Sequence, residues 1–124
     1  MTATLYERLG GAEGVSALVD GVVEAHLENP VINARFLPYL EDPARVEEIK
    51  AATRDFFGAG SGGPEVYSGR SMPEAHRGMN ISVAEYVAAV DDILGVMAAR
   101  GHDNRTRAEV LAILWSIKGE VIGR

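Results

Sequence analysis

Apolar residues recur along this chain at helical spacing in four separate stretches. Val15, Leu18, Val19, Val22, Val23, His26 and Leu27 follow an i, i+3, i+4, i+7 series that stops at Asn29-Pro30. Val46, Ile49, Thr53, Phe56 and Phe57 share a second helical face. Asp42-Pro43 opens it as N-cap and first helical position, and the run GAGSGGP closes it. Val83, Tyr86, Val87, Val90, Ile93, Leu94 and Met97 make a third, started by Ser82 with Glu85 three residues on and ended by Gly101. The fourth, opened by Thr106 and Glu109, turns Val110, Leu111, Leu114, Ile117 and Val121 inward. Two short helices are also predicted. Thr4 and Glu7 start one that Gly10-Gly11 ends. Ser71 and Glu74 start a single turn around Pro73 that carries His76 and stops at Gly78. The stretch VINARFLPYLE is irregular and carries Phe36 and Tyr39. No segment alternates strictly, as a half-buried strand does, so the class is all-α.

Composition narrows the function. The 124 residues suit one domain over positions 1–124, and 47% apolar residues are enough for a real core. With no cysteine there are no disulfides, iron–sulfur clusters or thiolate zinc sites, which agrees with a cytoplasmic protein. A net charge of −6 argues against a broad nucleic-acid surface. No apolar run approaches the roughly 18 residues of a membrane span. The opening MTATLYERLGG has no basic-then-apolar leader pattern, and no repeat or low-complexity linker divides the chain.

Candidate chemistry centres on histidine. Read locally, His76 is either a solvated loop residue or a side chain aimed by its own capped turn, with Met72 and Ile81 as apolar neighbours. No second histidine or carboxylate pair stands at zinc spacing from it. A porphyrin supplies four nitrogens itself and asks the protein for one axial histidine. His26 lies at the C-terminal end of an apolar stripe and reads as a core-edge histidine bonded to a carbonyl. His102 reads as exposed in a turn, and Trp115 as packing beside the last apolar face. GAGSGGP lacks the Lys-Ser/Thr of a phosphate loop and follows a helix, so nucleotide binding is rejected. Nothing suggests a Ser-His-Asp or Cys-His arrangement.

Five blocks in order carry a family likeness: LYERLGG from Leu5, ENPVINARF, GGPEVYSGRSMPEAHRGMNI, VDDILGVMAARG and AILWSIKGEVI. Together they resemble a truncated haemoglobin of group I, over nearly the whole chain. The resemblance implies a two-over-two helical sandwich around haem b. In it His76 matches the proximal iron ligand, and its Nδ1–H calls for an acceptor such as a backbone carbonyl one turn earlier. Phe36 matches the phenylalanine stacked on the porphyrin. Met72, Ile81, Tyr86, Ile93 and Leu114 fall where the family lines its cavity. Lys50, Arg70 and Arg77 are candidate cations for the propionates.

The distal side departs from the family. Val22-Val23 stand where a Phe-Tyr pair is usual, and the segment between Phe36 and Ile49 is longer than usual. The matching distal wall is Val23, Ile49, Thr53 and Phe57, nearly apolar, with Tyr39 or His26 able to enter only by displacement. Dioxygen carries partial negative charge when bound, and losing a donor worth about 1.5–3 kcal/mol speeds its release roughly 10- to 100-fold. The implied ligands are dioxygen, carbon monoxide and nitric oxide, with an external reductase as partner and a monomeric or weakly oligomeric state. Two rivals stand beside this carrier or sensor. One is a haem enzyme, a nitric oxide dioxygenase, a peroxidase-like catalyst or a small-molecule transferase. The other is a helical interaction module without haem.

Overall fold

The structure, a computed structural model, describes residues 3–124. Met1 and Thr2, on which the absence of a leader pattern partly rests, lie outside the described residues. The first helix, α1, is Leu5–Arg8, and both halves of its capping box form: Thr4 Oγ1 accepts from the Glu7 N–H, and the Thr4 N–H donates to Glu7 Oε1, each at 3.1 Å. Gly10, at φ +100°, turns the chain into α2, Gly11–Glu28. A methyl group on Gly14 would stand 1.9 Å from the Leu9 carbonyl oxygen, so α1 and α2 can meet this closely only through a glycine.

Two 3-10 turns, Asn33–Arg35 and Leu37–Glu41, replace regular helix in the irregular stretch. Helix α3, Pro43–Gly60, starts as expected, with Asp42 accepting from the Arg45 N–H at 3.2 Å. It runs through the first glycines of GAGSGGP before stopping at Ser61. The single turn α4 is Met72–Ala75, and His76 forms its C-cap rather than a residue inside it. Helix α5, Val83–Ala99, carries the complete Ser82/Glu85 box.

The last helix, α6, is Asn104–Ser116 and begins before the predicted Thr106 cap. Asp103 takes the capping role, accepting from the Thr106 N–H at 2.9 Å. Left-handed Gly101, at φ +88°, has already turned the chain by then, so the earlier cap is reached first. Thr106 is buried instead, and its hydroxyl accepts from Arg8 at 3.0 Å.

Helix α2 packs on α3 and on α5, and α5 on α6, which is a two-over-two arrangement. Leu18, Val19 and Met97 at its centre are fully buried. The predicted apolar faces are trimmed at their edges: Val83, Val87 and Leu111 are exposed. Trp115 is exposed too, under the Lys118 ammonium 4.1 Å from its ring, and not packed inside. Ile117 and Val121 lie beyond the end of α6. His102 is half-buried, not exposed; burial foremost, then Arg100, lowers its pKa. A parallel bridge pairs Ile81 with Ile122, with the Gly123 N–H donating to the Ile81 carbonyl at 2.9 Å. It ties the chain's end to the floor below α4 and is too short to leave an alternating pattern. Among the described residues no helix is long and apolar enough to cross a membrane.

Candidate functional site

The two layers enclose a cavity of about 530 Å³, a size ordinary for a site that buries a small organic ligand. His76 stands in its wall on a rigid mount. Ser71 Oγ accepts from the Glu74 N–H at 3.4 Å, the Ala75 N–H donates to the Ser71 carbonyl at 2.8 Å, and Gly78 turns the chain away at φ +81°. The Met72 carbonyl receives the His76 N–H at 3.2 Å and the ring Nδ1 at 2.8 Å. A carbonyl only accepts, so Nδ1 carries a proton, and the neutral ring then keeps its lone pair on Nε2. This is the tautomer a metal requires, with the carbonyl setting the ring's direction.

Eleven of the fourteen residues singled out above line the same cavity. Phe36, Met72, His76 and Ile81 do, as do Tyr86, Ile93 and Leu114, and so do Ile49, Thr53, Phe57 and Arg70. Val23, Lys50 and Arg77 do not. Val23 sits on the flank of α2, because the buried stripe there runs Leu18, Val19, Val22, His26. Lys50 reaches away to Asp20 at 3.1 Å. Arg77 is exposed beyond the mount.

Several wall residues escaped the sequence reading. Arg45 and Glu48, which pair with each other at 3.1 Å, come from the lengthened segment before Ile49, as does Tyr39, which was expected to enter only by displacement and lines the wall as it stands. Arg35 and Glu85 form a two-point ion pair in the wall, with Arg35 Nη2 donating to Glu85 Oε1 at 2.9 Å. That hydrogen bond, helped by the Ser82 N–H, holds the Glu85 carboxyl down at about 2. Phe56 lies edge-on to Tyr67, both in the wall.

The hydroxyls of the wall are mostly spent on carbonyls. Thr53 Oγ1 donates back to Ile49 at 2.7 Å, Tyr67 donates to Arg70 at 2.6 Å, and Tyr86 donates to Leu114. Burial raises the pKa of the Tyr86 phenol. Tyr39 is the wall hydroxyl with no partner among the described residues.

His26 differs most from its expected role. Its Nδ1 lies 2.8 Å from Asp92 Oδ2, a carboxylate of α5 and not a carbonyl, and Asn29 Nδ2 donates to both oxygens of Asp92 at 3.1 and 3.2 Å. Its ring stacks on Phe36 with centroids 5.2 Å apart and lines the cavity.

An apolar slot with charged groups in its wall and one mounted imidazole with a bare Nε2 fits a porphyrin carrying iron. Among the described residues no three potential metal-ligating side chains converge, so the wall offers single imidazoles rather than a cage. Residues 4–122 match the family model of bacterial-like globins. This chain belongs to that family. It is 24% identical over 119 residues to the Group 1 truncated hemoglobin GlbN of Mycolicibacterium paratuberculosis, covering 96% of this globin and 84% of that protein. It is 29% identical over 115 residues to the Group 1 truncated hemoglobin GlbN of a Synechocystis species, covering 90% and 89%. The Fe(III) form of truncated hemoglobin from Tetrahymena pyriformis matches with a TM-score of 0.88 at 22% identity, over 98% of this globin and all 100% of that chain. The 2/2 hemoglobin of a Synechococcus species, in the cyanomet state and with covalently attached heme, matches with a TM-score of 0.84 at 25% identity, over 98% and 100%. The fold is thus that of a truncated globin, and the family implies a haem-based site for ligands.

Proposed function

We propose that this globin, as one domain over residues 1–124, binds haem b with His76 as the proximal ligand and takes up dioxygen, carbon monoxide or nitric oxide on the opposite face. The carrying observation is the His76 ring, fixed by the Met72 carbonyl so that a bare Nε2 is left on the wall of an apolar cavity. Haem, when bound, supplies a ferrous iron that donates electron density to diatomic gases. The chain does the rest. Met72 and Ile81 flank the ligand histidine, Phe36 packs on the porphyrin face, and Tyr86, Ile93 and Leu114 close the apolar interior against water. Arg45 and Arg70, both on the wall, are better placed for the propionates than Lys50 or Arg77.

The distal side is Ile49, Thr53 and Phe57, with Val23 set back and the Thr53 proton engaged by Ile49. None of these side chains offers dioxygen a hydrogen bond, and the unpartnered hydroxyl of Tyr39 elsewhere in the wall is the group whose entry would supply one. Release of dioxygen is expected roughly 10- to 100-fold faster than from a relative with a distal tyrosine, as measured by stopped-flow displacement with carbon monoxide. A release as slow as that of such a relative would refute the apolar reading. Carriage or sensing of gas fits this wall better than dioxygenation, which needs a long-lived oxygen complex and an external reductase. Nitric oxide consumption by the oxygenated protein would separate the two. No nucleic-acid or membrane partner is proposed, and the cytoplasm is the proposed compartment. The founding test is a set of ferric, ferrous and carbon monoxide spectra after haem addition. A Soret band in the wild type, altered or lost in His76→Ala, supports the assignment. No Soret band from the wild type would end it and favour a haem-free helical module.

A further inference from the structure

The His26–Asp92 pair serves neither the proximal mount nor the core, yet His26 is buried on the cavity wall, with the half-buried Asp92 beside it. Asp92 comes from α5 and His26 from α2, so the pair forms only when the layers close. Asn29 Nδ2 reaches both oxygens of the Asp92 carboxylate, which orients it. A carboxylate only accepts, so His26 Nδ1 carries the proton of the neutral ring and Nε2 is a base. No described residue bonds that Nε2. It is not sealed off either: the buried side-chain polar atom without a partner, among the described residues, is Glu65 Oε2. His26 is only 9% exposed and lines the cavity. The ring cannot swing away easily, being stacked on Phe36 and tethered to Asp92. The other charges on the wall are paired or outward: Arg35 with Glu85, Arg45 with Glu48, and Arg70 at the mouth.

We propose that the His26–Asp92 pair is a built-in base that equips this cavity for small weak acids of the form HX, such as hydrogen sulfide, hydrazoic acid or hydrocyanic acid. The neutral acid enters the apolar cavity. Its H–X bond breaks, the proton forms the Nε2–H bond of His26, and X⁻ keeps the electron pair that a ferric haem, when bound, would accept. No oxidant or reductant is consumed. The imidazolium is held by Asp92, and its new Nε2–H donates to the anion, directly or through water. Toward dioxygen the same nitrogen stays an acceptor, so the expected fast oxygen release is unaffected. The inference rests on the haem reading.

The test is titration of ferric, haem-loaded protein with azide near neutral pH, for wild type, His26→Leu, Asp92→Asn and Tyr39→Phe. Loss of the charge-assisted bond is expected to weaken azide binding roughly 10- to 100-fold in His26→Leu. Asp92→Asn, which keeps an acceptor for Nδ1–H and is the gentler change for folding, should weaken it in the same direction. Carbon monoxide, which brings no proton, should lose less affinity for the ferrous forms of the dyad variants than azide does for the ferric ones, and any loss of azide affinity in Tyr39→Phe should be smaller than in His26→Leu. Nitrogen-15 NMR supplies a readout apart from affinity: His26 should be a neutral Nδ1–H tautomer in the haem-free protein and an imidazolium in the azide complex. Azide affinity within about 2-fold of wild type in both dyad variants, or a loss seen in Tyr39→Phe instead, overturns the proposal while leaving His76 ligation intact. A wild type that develops no Soret band overturns both.

Discussion

The Met72 carbonyl takes two hydrogen bonds from one residue, the backbone and ring of His76, and this fixes both the position and the tautomer of the side chain. Thr53 shows the opposite use of a local bond, because its hydroxyl turns back to Ile49 and is withdrawn as a donor to the distal side. Glu85 does two jobs at once, capping α5 and clasping Arg35 across the wall. Its carboxyl sits near 2 when folded and near the ordinary 4.5 when unfolded. A depressed carboxyl contributes stability above the unfolded value and loses it as pH falls toward the folded one. Glu85→Gln should therefore lower the melting temperature at neutral pH, and the gap to wild type should narrow between about pH 5 and about pH 2.5. A gap that does not change with pH would mean the ion pair contributes nothing. The mount of His76 was legible in the sequence because its cap and its turn are local, whereas the role of the ring was open locally and came from the family resemblance. The role of His26 was not legible, because Asp92 lies 66 residues away and only tertiary packing joins them. Arg45 and Glu48 were missed, and Tyr39 was expected only by displacement, for a related reason: the lengthened segment before Ile49 has no periodicity to orient its side chains.

Caps and turns decide where the helices begin and end. The boxes at Thr4 and Ser82 were readable to the residue, since a serine or threonine followed by a glutamate three positions on closes its own bonds. The same pattern at Thr106 was misleading because Asp103 lay within reach first. The ends of the apolar faces were also overread. Val83, Val87 and Leu111 obey the helical period, but α5 and α6 bury a narrower stripe than that period permits. At the junction of α1 and α2, Gly14→Ala gains about 1 kcal/mol of helix propensity and meets a backbone oxygen that cannot yield. Urea unfolding should show a net loss of roughly 1–3 kcal/mol. A variant as stable as wild type would show that α1 can lift off α2 at no cost.

At the scale of the whole molecule, two helix pairs leave between them a slot to whose wall all four long helices contribute. Helix α2 gives His26, α3 gives Ile49 and Phe57, α5 gives Tyr86 and Ile93, and α6 gives Leu114. The amphipathic faces foretold the layers, because each stripe needs a partner to bury it. They did not foretell the slot itself, since a residue lining a cavity and a residue filling a core follow the same period. His76 is what distinguishes that slot from an ordinary core, and the most direct test removes its ring alone. In His76→Gly the carbon monoxide spectrum of the ferrous, haem-loaded protein should lose its wild-type form, and added imidazole should restore it by entering the vacated space. A glycine variant with the wild-type spectrum and no need of imidazole would contradict the account.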